Sequence, residues 1–230
     1  MSILSPRIDA MLDSIRRASR QVMRDFNELQ ISNVKSADFI NKTYSRSKET
    51  IYTTLYNYRK DYQIVSEDDD FTINEEDYTW LTIPIEGRTN FINCIVYFTI
   101  SVCLLHKNKV IAAAVDAPAL RETFWAEEKR GAFFEDSRSR CIKMRVKNRE
   151  EGLIDVSGNL LNKLSITNVC SLGSTVLGFT YLAAGRHRGI IYDGSTNKYK
   201  ILLGGLFLQE SCGGKVREDN GLVTAGISSF

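Results

Sequence analysis

The stretch "YTWLTIPIEGRTNF", Tyr78 to Phe91, carries an apolar run (Trp80, Leu81, Ile83, Ile85) through Pro84 into Glu86-Gly87, then Arg88, Thr89 and Asn90. A carboxylate, a glycine and small polar groups at the end of a strand mark a binding position. A second acid stands at the end of another short apolar run, Glu67 after "QIVS". The residue before Pro84 is Ile83, so no further acid joins Glu86 from its own strand. Other chemistries have little to rest on. The chain has two histidines, His106 and His187, at unrelated positions. It has no GxGxxG after a strand, no Walker loop, no GxSxG and no HExxH, so nucleotide-fold and serine-hydrolase readings lose their main support.

The elements that position these residues follow from periodicity. Ser5-Pro6 reads as an N-cap with proline in the first turn. Ile8, Met11, Leu12, Ile15, Val22, Met23 and Phe26 then recur at helical spacing, predicting one amphipathic helix over 6–28. A second helix is expected over 45–58, and "QIVS" (63–66) is a short buried strand. Strands are predicted over 97–106, 110–116 and 122–126. In "FFEDSRSRCIKMRVKN", apolar Ile142, Met144 and Val146 alternate with Lys143, Arg145 and Lys147, as in a half-exposed strand with a cationic face. The tail reads as a small-residue helix (173–185), a strand "GIIYD", a glycine-marked helix through "KILLGGLFLQESCGG" and a closing strand "LVTAGI". The order is two helices, a β-rich block, then βαβαβ.

Bulk properties bound the class. A chain of 230 residues with 43% hydrophobic and 25% charged residues can bury a proper core. A net charge of +2 is too small to argue for nucleic acid by itself. The five cysteines (Cys94, Cys103, Cys141, Cys170, Cys212) never form a CxxC pair and read as free thiols in a reducing compartment. No apolar leader precedes the first helix, and "CIVYFTISVCLL" is too short for a membrane span, so a cytoplasmic protein without membrane partners is expected. The stretch 67–77 holds seven acids and no base, and reads as a solvated loop. The run from Lys129 to Arg149 has eight cations against two acids and reads as a solvated strand, with RNA phosphate as its other possible contact.

The ordered blocks "IVSEDD", "WLTIPIEGRTNF", "VDAPALRETFWAEEKRGAFF", "SLGSTVLGFTYLAAG" and "QESCGG" resemble the inositol monophosphatase family, especially its bacterial SuhB-type members. The family's central motif, W-x-x-D-P-[IL]-D-G-T-T-N-[FY], keeps its frame in Trp80, Pro84, Ile85, Gly87, Thr89, Asn90 and Phe91. The resemblance implies a mixed α+β or α/β fold, an αβαβα layered sandwich, and a single domain over 1–230. Within it lie a portion of about 1–148 around a large mixed or antiparallel sheet and a βαβαβ portion of about 149–230. It also implies homodimers and magnesium-dependent hydrolysis of phosphate monoesters. For the SuhB type it adds a non-catalytic role with the transcription and ribosomal-RNA machinery.

Carried over position by position, the resemblance makes Glu67, the Ile85 carbonyl and Glu86 a metal-binding set, with Gly87, Arg88 and Thr89 at the phosphate. Two ligand positions are lost: Ile83 stands where the family has the aspartate before proline. An ungapped match from "QESCGG" places Ile201 at the aspartate of a W-D-x-A-x-G motif, with Lys200 in place of the tryptophan; a shifted match would bring Asp193 there instead. Arg88 and Tyr44 replace the threonine–aspartate pair that activates water. Hard Mg2+ requires several converging oxygen donors, so it is expected to bind weakly or not at all. Arg88 is expected to pair with Glu67 or Glu86 and stand in for the metal. The reading is a pseudoenzyme that works through protein or RNA contacts or by holding a phosphate-bearing small molecule. The alternative is an active magnesium-dependent phosphatase for inositol-1-phosphate or a sugar phosphate. Gly204-Gly205 and Gly213-Gly214 are expected to serve close packing and helix ends.

Overall fold

The computed structural model describes residues 4–32, 36–70, 72, 77–147, 152–163, 166–211 and 215–226. Helix α1 (Pro6–Ser32) starts as its sequence signals require, with Ser5 accepting from the Ile8 amide at 3.3 Å, and runs a turn longer than expected. Helix α2 (Ala37–Tyr58) begins two turns earlier than its apolar spacing suggests. Ser36 caps it by accepting from Phe39 N, and Thr43 and Arg46 bond the buried Asp25 of α1 at 2.8 and 2.9 Å. Those polar anchors hold the first turns where apolar periodicity is weak.

The two helices cover one face of a seven-stranded sheet in sequence order: β1 (Gln63–Ser66), β2 (Thr79–Glu86), β3 (Thr99–His106), β4 (Lys109–Ala117), β5 (Glu122–Glu127), β6 (Gly131–Glu135) and β7 (Cys141–Lys143). β1 pairs with β2 in parallel and every later pair is antiparallel. The opposite face is covered by α4 (Thr175–Ala183) and α5 (Lys198–Glu210), so every residue of β2 is buried and its run is mostly apolar, with Thr79, Thr82 and Glu86 as its polar members. Beyond these helices lies a five-stranded sheet in the order β11 (Lys215–Asp219), β12 (Leu222–Gly226), β10 (Gly189–Asp193), β8 (Ile154–Val156) and β9 (Val169–Cys170). The tail therefore carries short strands β8, β9 and β11 that local pattern did not isolate. The outer face of this sheet is covered by Leu160 of a short 3-10 turn and by Ile166.

Two expectations need correction. The cationic strand is only the three-residue edge β7; Met144 is buried and Ile142 is 39% exposed, so the alternation begins one residue later than the pattern implied. In "CIVYFTISVCLL" the second half supplies β3, inside the sheet with Thr99 to Leu105 buried, while Ile95 and Tyr97 before it are exposed, so its apolar area is mostly core. Residues 71 and 73–76 of the acidic stretch, Arg149, Cys212 and Gly213-Gly214 lie outside the described residues.

Candidate functional site

Glu86 reaches the site because β2 is interrupted at Pro84. The pairing steps from Ile83–Ser101 to Glu86–Thr99, which places one extra residue on β2. Ile83 consequently faces α4 and α5 while Ile85 faces α1 and α2, although they are two apart. Glu86 then points at the start of α4, accepting from the Thr175 amide at 2.8 Å and from the Ser174 hydroxyl. A carboxylate at a helix N-terminus satisfies an unpaired amide and meets the positive end of the dipole. Gly87 turns the chain into the five-residue helix α3 (Arg88–Ile92) at φ 83°; a Cβ there would meet Tyr97 O at 2.8 Å. Asn90 clamps that turn by donating to Tyr97 O at 2.6 Å and to Leu172 O at 2.8 Å, while Thr89 is exposed.

Three carboxylates converge at these strand ends and two cations hold them. Lys200 Nζ lies 3.1 Å from Glu67 Oε2 and 3.9 Å from Glu86 Oε1. Arg88 Nη2 pairs with Asp68 Oδ2 at 2.5 Å and lies 3.8 Å from Glu67 Oε1. The guanidinium sits 4.0 Å from the centroid of the Tyr44 ring, and the Tyr44 hydroxyl bonds Ser66 Oγ at 2.9 Å. Burial pushes the Glu67 carboxyl above its ordinary value, against the pull of Lys200. Burial works the same way on Asp68, but there the hydrogen bonds from Arg88 and Tyr44 win and the carboxyl titrates low. Burial raises the Tyr44 phenol, so it stays neutral. Three acids against two cations leave one net negative charge.

Arg88 thus meets Glu67 as expected, but its close partner is Asp68, and the cation between Glu67 and Glu86 is Lys200. Ile201 turns away from the site into the apolar core between the sheets. The two glycines of α5 differ in what they pack against. A Cβ on Gly204 would lie 2.2 Å from the Phe179 ring, whereas one on Gly205 meets only Val216, at 3.8 Å. The glycine that close helix packing demands is therefore Gly204, four residues after Lys200. Counted back four from Gly204, the aspartate position of W-D-x-A-x-G is Lys200, and counted from "QESCGG" it is Ile201; of the two, Lys200 is the side chain that reaches Glu67 and Glu86. Asp193 bonds Asn159 at 3.1 Å and the Ser195 amide at 2.9 Å. Ile83 is fully buried among the apolar side chains of the sheet.

A second buried group supports the same loop. Asp155 accepts from the Tyr192 hydroxyl and from the Leu172 amide at 2.9 Å, and burial raises its carboxyl. Gly178 makes room: a Cβ there would strike both Tyr192 and Asp155. The Leu172 bond fixes the chain leading to Ser174. Beside it is a cavity of about 210 Å3 with Ser157, Ser171, Ser174 and Thr175 in its wall. Sequence reasoning gave no role to Asp68 and Ser174, which lie inside the ordered blocks without being singled out, or to Asp155 and Tyr192, which lie in none of them.

These residues do not fit a divalent magnesium site. An octahedral ion needs oxygen donors free to face it, and Glu67, Asp68 and Glu86 already face ammonium, guanidinium and helix amide groups. Among the described residues no group of three or more His, Cys, Asp or Glu side chains is arranged to hold a metal ion.

The chain matches the profile of the inositol monophosphatase family over residues 4–221 and belongs to that family. It is 28% identical to an inositol-1-monophosphatase of Mesorhizobium japonicum, over 96% of this chain and 92% of that protein. It is 25% identical to the Nus factor SuhB of Pseudomonas aeruginosa, over 95% and 87% of the two chains. The fold superposes on the crystal structure of the extragenic suppressor protein SuhB from Bartonella henselae with a TM-score of 0.81 at 24% identity, covering 96% and 94%. Among the described residues no helix is long and apolar enough to cross a membrane.

Proposed function

We propose that this chain is a non-hydrolytic member of its family that acts by contact with protein or RNA. The observation that carries the reading is the placement of the Lys200 ammonium between Glu67 and Glu86. Metal-assisted hydrolysis of a phosphate monoester needs a Lewis acid on the phosphoryl oxygens and a group that activates water. At the first place this chain has a lysine and a buried isoleucine; at the second it has a neutral phenol stacked under a guanidinium. Losing either contribution commonly slows an enzyme by about 10²–10³. Relatives named as Nus factors rather than phosphatases support a role by contact. Homodimeric assembly and a cytoplasmic setting are part of the proposal, the first checked by sedimentation at micromolar concentration.

The deciding experiment is phosphate release from inositol-1-phosphate and from a generic monoester across a magnesium and manganese series. Background rates throughout are expected. Turnover that rises with metal and disappears in Glu67→Ala would overturn the reading in favour of a phosphatase.

A further inference from the structure

Lys200 stands where a lysine is hard to keep. It lies in the first turn of α5, which has no acid and is capped by Asn197 accepting from the Tyr199 amide at 2.9 Å. That end of a helix dipole repels a cation and favours a carboxylate. The side chain is only 19% exposed, so its ammonium has given up much of its water. The compensation is local: Glu67 and Glu86, 7% and 5% exposed, are presented by two different strand ends toward this one group. The second cation, Arg88, lies 3.8 Å from Glu67 and is committed to Asp68 at 2.5 Å. Removing the Lys200 charge would leave two nearly buried carboxylates with only Arg88 as counter-charge, 3.8 Å from Glu67 and already closed on Asp68, an arrangement that favours uptake of a cation or a proton.

We infer that Lys200 is a resident counter-cation, built into the chain, which fills a latent divalent-cation site between Glu67 and Glu86 and makes the fold independent of metal. The inference rests on the proposed non-hydrolytic reading and goes beyond it, since a chain can lack turnover without carrying its own cation. One ammonium cannot reproduce octahedral coordination, but it offsets one of the pair's two negative charges without drawing on a free ion. Its four-carbon stem brings the charge across from α5, which ties the five-stranded side of the molecule to the ends of β1 and β2. Replacing the ammonium with a neutral group of similar length exposes oxygen donors of the kind that hard divalent ions take.

The test compares the natural full-length chain with Lys200→Met and Lys200→Arg by thermal melting in chelator and in about 10 mM MnCl2 or MgCl2, with calorimetric titration of each metal alone. The natural chain and Lys200→Arg are expected to melt at the same temperature in all conditions. Lys200→Met should melt lower in chelator and gain about 3 °C or more with manganese, as a ligand with a Kd near 1 mM gives at that concentration. Calorimetry should find at least tenfold tighter manganese binding in Lys200→Met. A folded Lys200→Met insensitive to both metals would overturn the inference, as would micromolar metal binding by the natural chain. If Lys200→Met folds only with metal present, the inference is supported; if it folds in neither condition, Lys200→Gln with the same readouts decides. Metal-dependent phosphate release by the natural chain would instead bring down the reading beneath it.

Discussion

The guanidinium carbon of Arg88 lies over the Tyr44 ring, 4.0 Å from its centroid, and the group closes on Asp68 at 2.5 Å. By resemblance these two positions hold the groups that activate water, and the fold does bring them together. Their chemistry has changed: a guanidinium cannot act as a base, and a phenol whose proton is held by burial cannot either. What remains is a latch joining α2, the end of β1 and the turn before α3.

The latch has a modest, measurable worth. Arg88 and Asp68 are 39% and 49% exposed, so screening limits their ion pair to about 1 kcal/mol or less. Stacking on Tyr44 adds about 0.5–1 kcal/mol. Arg88→Ala is expected to lower the melting temperature by about 3–6 °C, given about 2–4 °C per kcal/mol for a chain of this size. Arg88→Lys should recover part of this, since it keeps the charge and loses the planar stack. A scan of the three proteins checks the order.

Adjacent glycines should respond in opposite directions. Gly204→Ala drives a methyl into the Phe179 ring, with contacts of 2.2–2.5 Å, and is expected to cost about 1–3 kcal/mol. Gly205→Ala puts its methyl in ordinary contact with Val216 at 3.8 Å and should stabilise α5 by about 0.5–1 kcal/mol. Urea denaturation of both variants measures the difference. Equal effects would undo the packing contrast between Gly204 and Gly205.

That contrast shows how far the sequence could be read. Helix α1, the strand 63–66, and α4, β10, α5 and β12 of the tail were legible from local composition and caps, whereas the short strands β8, β9 and β11 were not. The start of α2 was not, since it is held by Thr43 and Arg46 on Asp25, contacts between residues far apart in the chain. Glu67, Glu86, Arg88 and Tyr44 were named from a spaced motif and do assemble. Lys200 was given no ligand position, because "LLGG" offers two glycines to count from; in the fold it is Lys200 and not Ile201 that reaches the carboxylates. Asp68 sits in "IVSEDD" beside Glu67 with nothing to single it out, and Asp155 lies in no quoted block; their partners Arg88 and Tyr192 lie 20 and 37 residues away.

Asp116 makes the protein sensitive to pH away from the site. It is 6% exposed and accepts hydrogen bonds from Ser19 and, at 2.7 Å, from Thr123. Burial raises its carboxyl above the ordinary value of 3.8, against those two bonds. With the folded value raised, this group's stabilising contribution is full below about 3.8 and is lost as pH rises through the folded value. Asp116→Asn, which keeps an acceptor without the charge, should flatten that segment of the stability profile. Denaturation of both proteins from pH 4 to 7 is the measurement; parallel curves would assign the dependence to other groups.

The cationic edge yields the last prediction. Lys143, Arg145 and Lys147 are exposed, Met144 between them is buried, and β7 is the edge of the seven-stranded sheet. Lysines on an edge strand have a structural use of their own, because they keep it from pairing with another chain. Contact with RNA makes a different demand. Each phosphate neutralised on a single strand steepens the fall of log K with log salt by about 0.7. If all three side chains reach phosphates, changing them together to alanine should flatten that slope by about 2 and weaken binding at low salt most of all. Titration of a single-stranded RNA at several salt concentrations gives both quantities. A triple variant with an unchanged slope but a new tendency to aggregate would assign these charges to guarding the edge, and the contacts of this protein would then be sought with other proteins.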